Sequence, residues 1–380
     1  MSWPTPQDYN EAIQSPATCF ADADLRNGEV ELTPIGIPRA VTGAFASVYK
    51  ITTVDGDWAV RCFLTDRPGQ KERYETISKH VLLDNLEYTV EFHYIEEGIQ
   101  VRRSWYPILK MNWVYGQTLE SFLIDNYDDP EEILMLRDRF FDLAKGIDDA
   151  DMAHGDLQHG NIIVTPQGLR LVDYDAMFVP DLLGKTSLEL GHPNYQHPLR
   201  TAHHYDRTVD NFSCWLIYLS LSIVALDSDL FKNFNGGDEC ILFRKRDLAE
   251  PESSKVFAAV LNHEQPEIKE YGNLIMRMLW SSPQLIPELH RPEELVLLPE
   301  VRPDSLSTEM QEVDQAEKNP ISDISFAEST ENRFQRDLDL DWSPTDRPAI
   351  PKDKKRRKKS IKGIFKAAAV RVASALDNAQ

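Results

Sequence analysis

The sequence is short of cysteine, of long apolar runs and of positive charge. Its four cysteines form no C-x-x-C pair and show no regular spacing, which indicates buried free thiols and a reducing, cytosolic compartment. The longest apolar stretch, near residues 215–226, is interrupted by serines and is too short to span a bilayer. The N-terminus has neither a basic start nor an apolar core, so no signal peptide is predicted.

The formal net charge of -21 is unevenly distributed. Residues 351–380 carry ten Lys or Arg against two Asp, a net of +8, which leaves -29 on residues 1–350. So acidic a body argues against broad nucleic-acid binding. With 380 residues and 42% apolar content, the chain is predicted to form two domains, or one bilobal domain with a tail.

The most informative pattern is a polar loop followed by two apolar runs. Residues 154–161 read H-G-D-L-Q-H-G-N, with Asp156 and Asn161 five positions apart. The apolar runs at 162–164 and 169–172 flank a turn, so they predict a β-hairpin that presents Asp156, Asn161 and Asp173 at one end. Phosphoryl transfer from ATP uses such a set: one carboxylate orients the hydroxyl and accepts its proton, and a carboxylate and an amide oxygen hold Mg²⁺.

These motifs resemble the catalytic loop and metal motif of the protein-kinase superfamily, H-R-D-x-x-x-x-N followed by D-F-G. Gly155 replaces the Arg, Gln158 the usual Lys, and residues 174–175 (Y-D) the Phe-Gly. The resemblance implies that Asp156 is the base and that Asn161 and Asp173 bind Mg²⁺, or Mn²⁺ in its place. Because H-G-D also occurs in kinases of choline and aminoglycosides, the loop alone does not name the substrate.

Residues 43–50, G-A-F-A-S-V-Y-K, resemble the glycine-rich loop over the ATP phosphates, with only the central glycine retained. The resemblance implies nucleotide contacts at Gly43, Phe45 and Val48. Arg61 stands at the strand position of the phosphate-binding Lys and keeps its charge on a larger planar head. A predicted helix at 71–83 offers two equal candidates for the partner of Arg61, which are Glu72 and Glu75.

Two further strands are predicted at 88–95 and 99–105, and a last strand and hinge at 106–115. The resemblance implies that Lys110, Met111 and Trp113 lie beside adenine, which is held by backbone groups. Residues 131–150 predict a long amphipathic helix that leads to the catalytic loop.

The run G-H-P-N-Y-Q-H-P at 191–198 resembles the G-T-P-x-Y-x-A-P-E motif that anchors the activation segment of protein kinases, with Leu199 in place of the Glu. This anchor favours a protein substrate over a small molecule. Because position 155 lacks the Arg that binds a segment phosphate in many kinases, we expect the segment to be held constitutively or by a partner. Asp210 resembles the Asp that starts the central buried helix and binds the loop backbone, and a simple helix N-cap is compatible with that role.

The last 80 residues differ in composition from the rest. Residues 301–350 are rich in Ser, Asp and Glu and predict a disordered acidic linker, and residues 351–380 predict a basic amphipathic tail. Two binding partners of the tail are favoured over nucleic acid. One is an anionic membrane surface, and the other is an acidic protein surface on this chain or on a partner.

The resemblance covers residues 36–290 and is closest to bacterial serine/threonine protein kinases of the eukaryotic-like type, in an atypical group with H-G-D-L-Q-H-G-N and N-Y-Q-H-P motifs. It implies an α+β bilobal fold with a lead segment (1–35), a small antiparallel β lobe with one helix and the hinge (36–115), and a larger, mainly helical lobe (116–300). The implied function is transfer of the ATP γ-phosphate to Ser or Thr hydroxyls of a cytoplasmic protein in bacterial signalling, beside a metal-dependent protein phosphatase. A pseudokinase is the first alternative, because Arg61 and Gln158 alter two cations, and a small-molecule kinase is the second.

Overall fold

The computed structural model describes residues 3–43, 45–84 and 86–291. The predicted linker (301–350) and tail (351–380) lie outside these residues. The strands are β1 (Glu29–Val30), β2 (Ala40–Thr42), β3 (Ala46–Thr53), β4 (Gly56–Phe63), β5 (Phe92–Val101), β6 (Ser104–Asn112), β7 (Gln117–Thr118), β8 (Ile162–Thr165) and β9 (Gly168–Leu171). The helices are α1 (Pro6–Ile13), α2 (Pro16–Cys19), α3 (Ala23–Arg26), α4 (Gln70–Asp84), α5 (Leu119–Asn126), α6 (Pro130–Asp149), α7 (Asn211–Leu226), α8 (Ser228–Asn233), α9 (Lys245–Ala249), α10 (Lys255–Leu261) and α11 (Pro266–Leu279).

The first six strands form one antiparallel sheet in the order β1-β3-β4-β6-β5, with β2 paired to β3. Directly paired residues of antiparallel strands lie on the same face. Arg61 pairs with Val48 on β3 and with Leu109 on β6, so these three side chains share what we call the inner face. Val60 pairs with Lys110, and this pair lies on the opposite, outer face.

Three short helices at the N-terminus cover the outer face of the sheet. Thr5 and Asp8 form a reciprocal capping box that starts α1. Tyr9 and Phe20 are buried against the sheet in one apolar cluster with Ile51 and Ile108. Tyr9 also donates its hydroxyl to Phe63 O at 2.6 Å. The lead segment therefore packs on the first lobe, as a fixed layer of it.

The strands β5 and β6 are placed differently from the prediction. The strands expected at 88–95 and 99–105 are one strand, β5, with an irregular register between Ile95 and Ile99. Gly98 allows this, because a Cβ there would lie 2.3 Å from Ile108 Cγ1. The reversal comes later, at Arg102 and Arg103, which both have positive φ (50° and 71°). Two successive left-handed residues are typical of a tight hairpin turn. The sequence does not indicate this turn, because arginines stand where Asn or Gly is usual.

The large lobe is built on α7 and on α6, the helix predicted at residues 131–150. Positions 211–225 of α7 are all buried, because the helix runs through the centre of the lobe. That burial explains the apolar run near residues 215–226. Within the described ranges, no helix is both long and apolar enough to cross a membrane. The four cysteines are buried and unpaired, as predicted.

The α+β fold class predicted from the sequence is confirmed. An antiparallel sheet with the single long helix α4 precedes a mainly helical lobe, and the hairpin β8–β9 follows the catalytic loop at its expected position. Helix α4 also covers the predicted 71–83, and α6 covers the predicted 131–150 to within one residue at each end.

Candidate active site

The loop at residues 154–161 is fixed by hydrogen bonds from both sides. Asp210 accepts from the backbone N–H groups of His154 and Gly155, and its side chain makes no cap bond to its own helix. His154 Nδ1 accepts from Asp156 N at 3.3 Å, which leaves His154 Nε2 as the donor to Val172 O at 3.0 Å. The loop and the start of the metal motif are thus held together through one buried imidazole. The role expected for Asp210 is present in the structure.

Both carboxylate oxygens of Asp156 accept a hydrogen bond. His192 N donates to Oδ1 at 2.6 Å, and Asn161 Nδ2 donates to Oδ2 at 3.0 Å. Asn161 Nδ2 also donates to Asp156 O at 3.0 Å. Because the Asn161 amide donates through nitrogen, its Oδ1 faces the other way, and no donor within the described ranges reaches it. The two donors, His192 N and Asn161 Nδ2, therefore hold the Asp156 carboxylate in one orientation.

The residues present fit a divalent cation bound together with phosphates. Val172 N donates to Asn161 O at 3.0 Å, which brings Asp173 next to Asn161. Asp173 has φ 67°, a left-handed conformation that is uncommon for a non-glycine residue. Its Oδ1 contacts Arg61, whereas no donor among the described side chains and backbone groups reaches Oδ2. Asn161 Oδ1 and Asp173 Oδ2 are thus two oxygens without a donor, and Mg²⁺ is commonly bound by one or two protein oxygens plus phosphates and water.

Arg61 is bridged to two carboxylates of the metal motif. Its Nη1 lies 2.6 Å from Asp173 Oδ1 and its Nη2 lies 2.6 Å from Asp175 Oδ2. Its Nε is buried with no hydrogen-bond partner in the part of the chain that is described. The charges of Asp173 and Asp175 raise the pKa of Arg61 against the opposing effect of burial, and Arg61 lowers the pKa of Asp173.

Neither glutamate that the sequence offered pairs with Arg61. Glu72 and Glu75 are both exposed on α4. The helix instead turns Tyr74 inward, and its hydroxyl donates to Asp175. Burial and the charge of Asp175 raise the pKa of Tyr74 well above its usual value, so it remains a donor. Tyrosine thus takes the place at which a glutamate was expected, because Asp175 already supplies the negative charge.

A second cation, Arg67, was not identified from the sequence. It lies 2.6 Å from Glu189 Oε1 of the activation segment and 3.8 Å from Asp175 Oδ2. Its guanidinium also lies 4.2 Å from the centre of the Phe45 ring, a cation–π contact. Burial and the charges of Asp175 and Asp173 raise the pKa of Glu189 to about 8. Three acidic groups therefore share two arginines here.

Tyr174 fixes the metal motif to the small lobe. Its hydroxyl donates to Leu171 O at 2.7 Å and accepts from Val90 N at 2.7 Å. A phenylalanine at this position could make neither bond. Tyr174 and Asp175, which replace the Phe-Gly of the D-F-G motif, therefore both have structural roles: Asp175 binds Arg61 and Tyr174 binds the backbone. In the sequence, the indication of this arrangement is a second acidic residue two positions after Asp173.

The predicted nucleotide contacts divide between the two faces of the sheet. Val48 and Met111 lie on the inner face with Arg61, since Met111 pairs with Ala59 two positions away. Gly43 N donates to Ala46 O at 2.9 Å in the turn that carries Phe45. Trp113 follows β6, and its backbone N–H is already used by Asp57 O at 2.9 Å.

The expectation that Lys110 lies beside adenine is corrected by the structure. Its side chain is on the outer face, 4% exposed, with Nζ 2.9 Å from both Asp22 Oδ1 and Asp24 Oδ2 of the lead segment. It also lies over the Trp58 ring. Strand β6 is paired on both edges, so the backbone of Lys110 belongs to the sheet. The alternation of a strand, in which neighbouring side chains point to opposite faces, excludes Lys110 from the face of Arg61.

Comparisons with known proteins do not identify a family for this chain. No protein-family model matches the sequence, and no curated protein matches it. Among solved structures, the kinase PK-1 of the Cydia pomonella granulovirus is similar, with 15% identity and a TM-score of 0.43 over 67% of this chain and 88% of that one. Those values transfer no activity. At this TM-score the match carries no argument, and what the site does is inferred from the chain's own residues.

Proposed function

We propose that this protein is a phosphotransferase that moves the γ-phosphate of Mg-ATP, or Mn-ATP, to a Ser or Thr hydroxyl of a protein. The observation that supports it best is the juxtaposition of Asp156, Asn161 and Asp173. Asp156 is oriented by two donors, while Asn161 Oδ1 and Asp173 Oδ2 have no donor within the described residues. A structural hairpin needs no pair of oxygens left open in this way.

Each residue has a separate task in this proposal. The Asp156 carboxylate, held by His192 N and Asn161 Nδ2, orients the acceptor hydroxyl and takes its proton. Asn161 and Asp173 would hold the cation, which when bound neutralises the phosphate oxygens. Arg61 adds positive charge on the inner face and keeps Asp173 in place. Val48, Met111 and the Gly43 turn lie on the side where the nucleotide would bind.

The anchored activation segment favours a protein as the acceptor. Asn194 donates to Glu239 O at 2.9 Å and accepts from Lys245 N at 2.7 Å. His197 Nε2 lies 3.2 Å from Met278 O. Arg73 of α4 donates to Thr186 O at 2.8 Å. The segment is fastened at both ends without a phosphate, which forms a fixed surface for an extended peptide. A bacterial signalling role beside a metal-dependent phosphatase extends the same proposal.

A pseudokinase is the second candidate, and one observation favours it. Both Nη groups of Arg61 are occupied by carboxylates, so a phosphate would have to approach Nε or displace Asp175. A nucleotide-binding scaffold would tolerate this arrangement, whereas a kinase must rearrange it in every cycle.

Radiolabelled ATP with Mg²⁺ or Mn²⁺ separates the two candidates. We would compare the wild type, Asp173→Asn, Asp156→Asn and the control Asp181→Asn, which alters an exposed aspartate. Label that enters the wild type and the control but neither of the other variants supports the kinase, and phosphoamino-acid analysis identifies the acceptor. No label, with a metal-dependent thermal shift by ATP, supports the pseudokinase. If the wild type shows neither incorporated label nor a thermal shift with ATP, the proposed ATP site is refuted.

A further inference from the structure

Arg200 is a buried cation placed beneath the catalytic loop. It is 7% exposed, and no carboxylate oxygen in the described residues lies within ion-pair distance of it. Its Nη1 donates to Gly155 O at 2.7 Å and to Gln196 Oε1. Its Nε and Nη2 have no partner among the described residues. Burial lowers the pKa of Arg200, which the charges of Asp210 and Asp156 partly offset. A buried cation without a paired anion is costly, so its position calls for a role.

Gln196 is bonded to Arg200 and faces the space beside the Asp156 carboxylate. Arg is only a donor, so the Gln196 oxygen must face Arg200 and its Nε2 must face the other way. That direction is defined by Gly191: a Cβ placed there would lie 2.7 Å from Gln196 Nε2 and 2.9 Å from Asp156 Oδ1. The amide N–H and the carboxylate oxygen therefore line the same small volume. Gln196 Nε2 is buried and has no acceptor in the described part of the chain.

The loop itself supplies no cation at this place. Gly155 has φ +78°, and a Cβ there would lie 2.1 Å from Ala176 O, so no side chain fits at position 155. Gln158 is uncharged, and its oxygen accepts from Gly160 N at 3.3 Å. Positive charge near Asp156 therefore comes from outside the loop, and Arg200 is the buried group that provides it.

We propose that Arg200 and Gln196 are positioning residues of the phosphotransfer site, in which Arg200 fixes the loop through Gly155 O and directs the Gln196 amide at the Asp156 carboxylate. This inference rests on the proposed function. The buried guanidinium offsets the negative charge of Asp156 as an anionic phosphoryl donor approaches, with little screening by solvent. Arg200 holds the Gln196 amide by its oxygen, so that Nε2 faces the volume that Asp156 Oδ1 also lines.

The test is steady-state kinetics on the full chain, with Arg200→Met, Arg200→Lys and Gln196→Leu. We expect kcat to fall about 100-fold in Arg200→Met and in Gln196→Leu, the size found when a reacting group is misplaced by about 1 Å. The KM for ATP should stay near the wild-type value, because neither side chain lies on the inner face. Arg200→Lys should recover part of kcat, since it keeps the charge but not the geometry of the guanidinium.

Ser254→Ala is the matched control, because Ser254 is equally buried but caps α10 and donates to Asp247 Oδ1, away from the loop. It should lower the unfolding temperature with kcat largely kept. If folded Arg200→Met and Gln196→Leu proteins have wild-type kcat, the inference is overturned, but the proposed kinase function is unaffected. An equal fall of kcat in all four variants would also overturn it, as a sign of general loosening. A wild type that transfers no phosphate refutes the proposed function, and the inference with it.

Discussion

Replacing Arg61 by Met should remove the cation that holds two carboxylates together. Arg61 is 12% exposed at its side chain and Asp175 is 5% exposed, so both charges are largely out of water. Removing one partner of a buried pair costs about 3–5 kcal/mol, because the remaining charge is left uncompensated. Two hydrogen bonds to charged groups at about 1.5–3 kcal/mol each give about 3–6 kcal/mol, which overlaps that range. We expect the free energy of unfolding to fall by about 3–5 kcal/mol.

Urea denaturation followed by tryptophan fluorescence measures this loss. Arg61→Lys should lose about half as much, since one ammonium group cannot contact Asp173 and Asp175 in the two-armed way that a guanidinium does. The control is Arg207→Met, whose ion pair with Asp151 is more than half exposed on both sides and should change stability by less than about 1 kcal/mol.

The Arg61 reasoning would be refuted if Arg61→Met were no less stable than Arg207→Met. A second check uses Asp175→Asn as the background. There the loss caused by Arg61→Met should shrink, because one of the two stranded charges has been removed. An undiminished loss would show that Asp175 and Arg61 do not interact in solution.

Three further predictions concern neighbouring groups. Tyr74→Phe should lower the free energy of unfolding by about 1.5–3 kcal/mol in urea, since Asp175 loses a donor and the aromatic contacts remain. The pKa of Glu189 in the folded protein is about 8, above its usual 4.5, so between these pH values the folded protein holds a proton that the unfolded chain releases. Stability should therefore fall as pH rises from 4.5 to about 8. In Glu189→Gln the unfolding temperature should depend less on pH over this range. Lys110→Met should destabilise the small lobe in urea denaturation, because it removes the contacts with Asp22 and Asp24. The affinity for ATP, measured by calorimetry, should stay unchanged. Weakened ATP binding would contradict the placement of Lys110 on the outer face.

The local part of the site could be predicted from the sequence. Asp156, Asn161 and Asp173 belong to one loop and one hairpin, so their proximity follows from spacing and turn signals within 20 residues. The amphipathic pattern of residues 131–150 likewise predicted α6, which lines the core of the large lobe. These are the features for which the determinants lie next to each other along the chain.

The long-range part could not be predicted. Glu72, Tyr74 and Glu75 are all plausible partners on one helix, and only the packing of α4 against the sheet decides which of them faces inward. Arg67 and Glu189 are 122 positions apart, and no local pattern links them. The partnership of Arg200 with Gly155 is hidden for the same reason. The prediction of separate strands at 88–95 and 99–105 was wrong, because Gly98 lies at an irregular register within one strand and not at its end.

The layer formed by α1 to α3 has a consequence for how the chain is made. Residues 3–26 leave the ribosome before their partners on β5 and β6 do, and Lys110 follows Asp22 by 88 positions. At a synthesis rate of roughly 5–20 residues per second, the segment waits for about 5–20 seconds before its docking surface exists. During that time Tyr9 and Phe20 lack the part of their apolar cluster that β5 and β6 supply, Ile99 and Ile108. Residues 3–26 are thus translated well before the surface on which they dock is complete, and they close the small lobe when they dock.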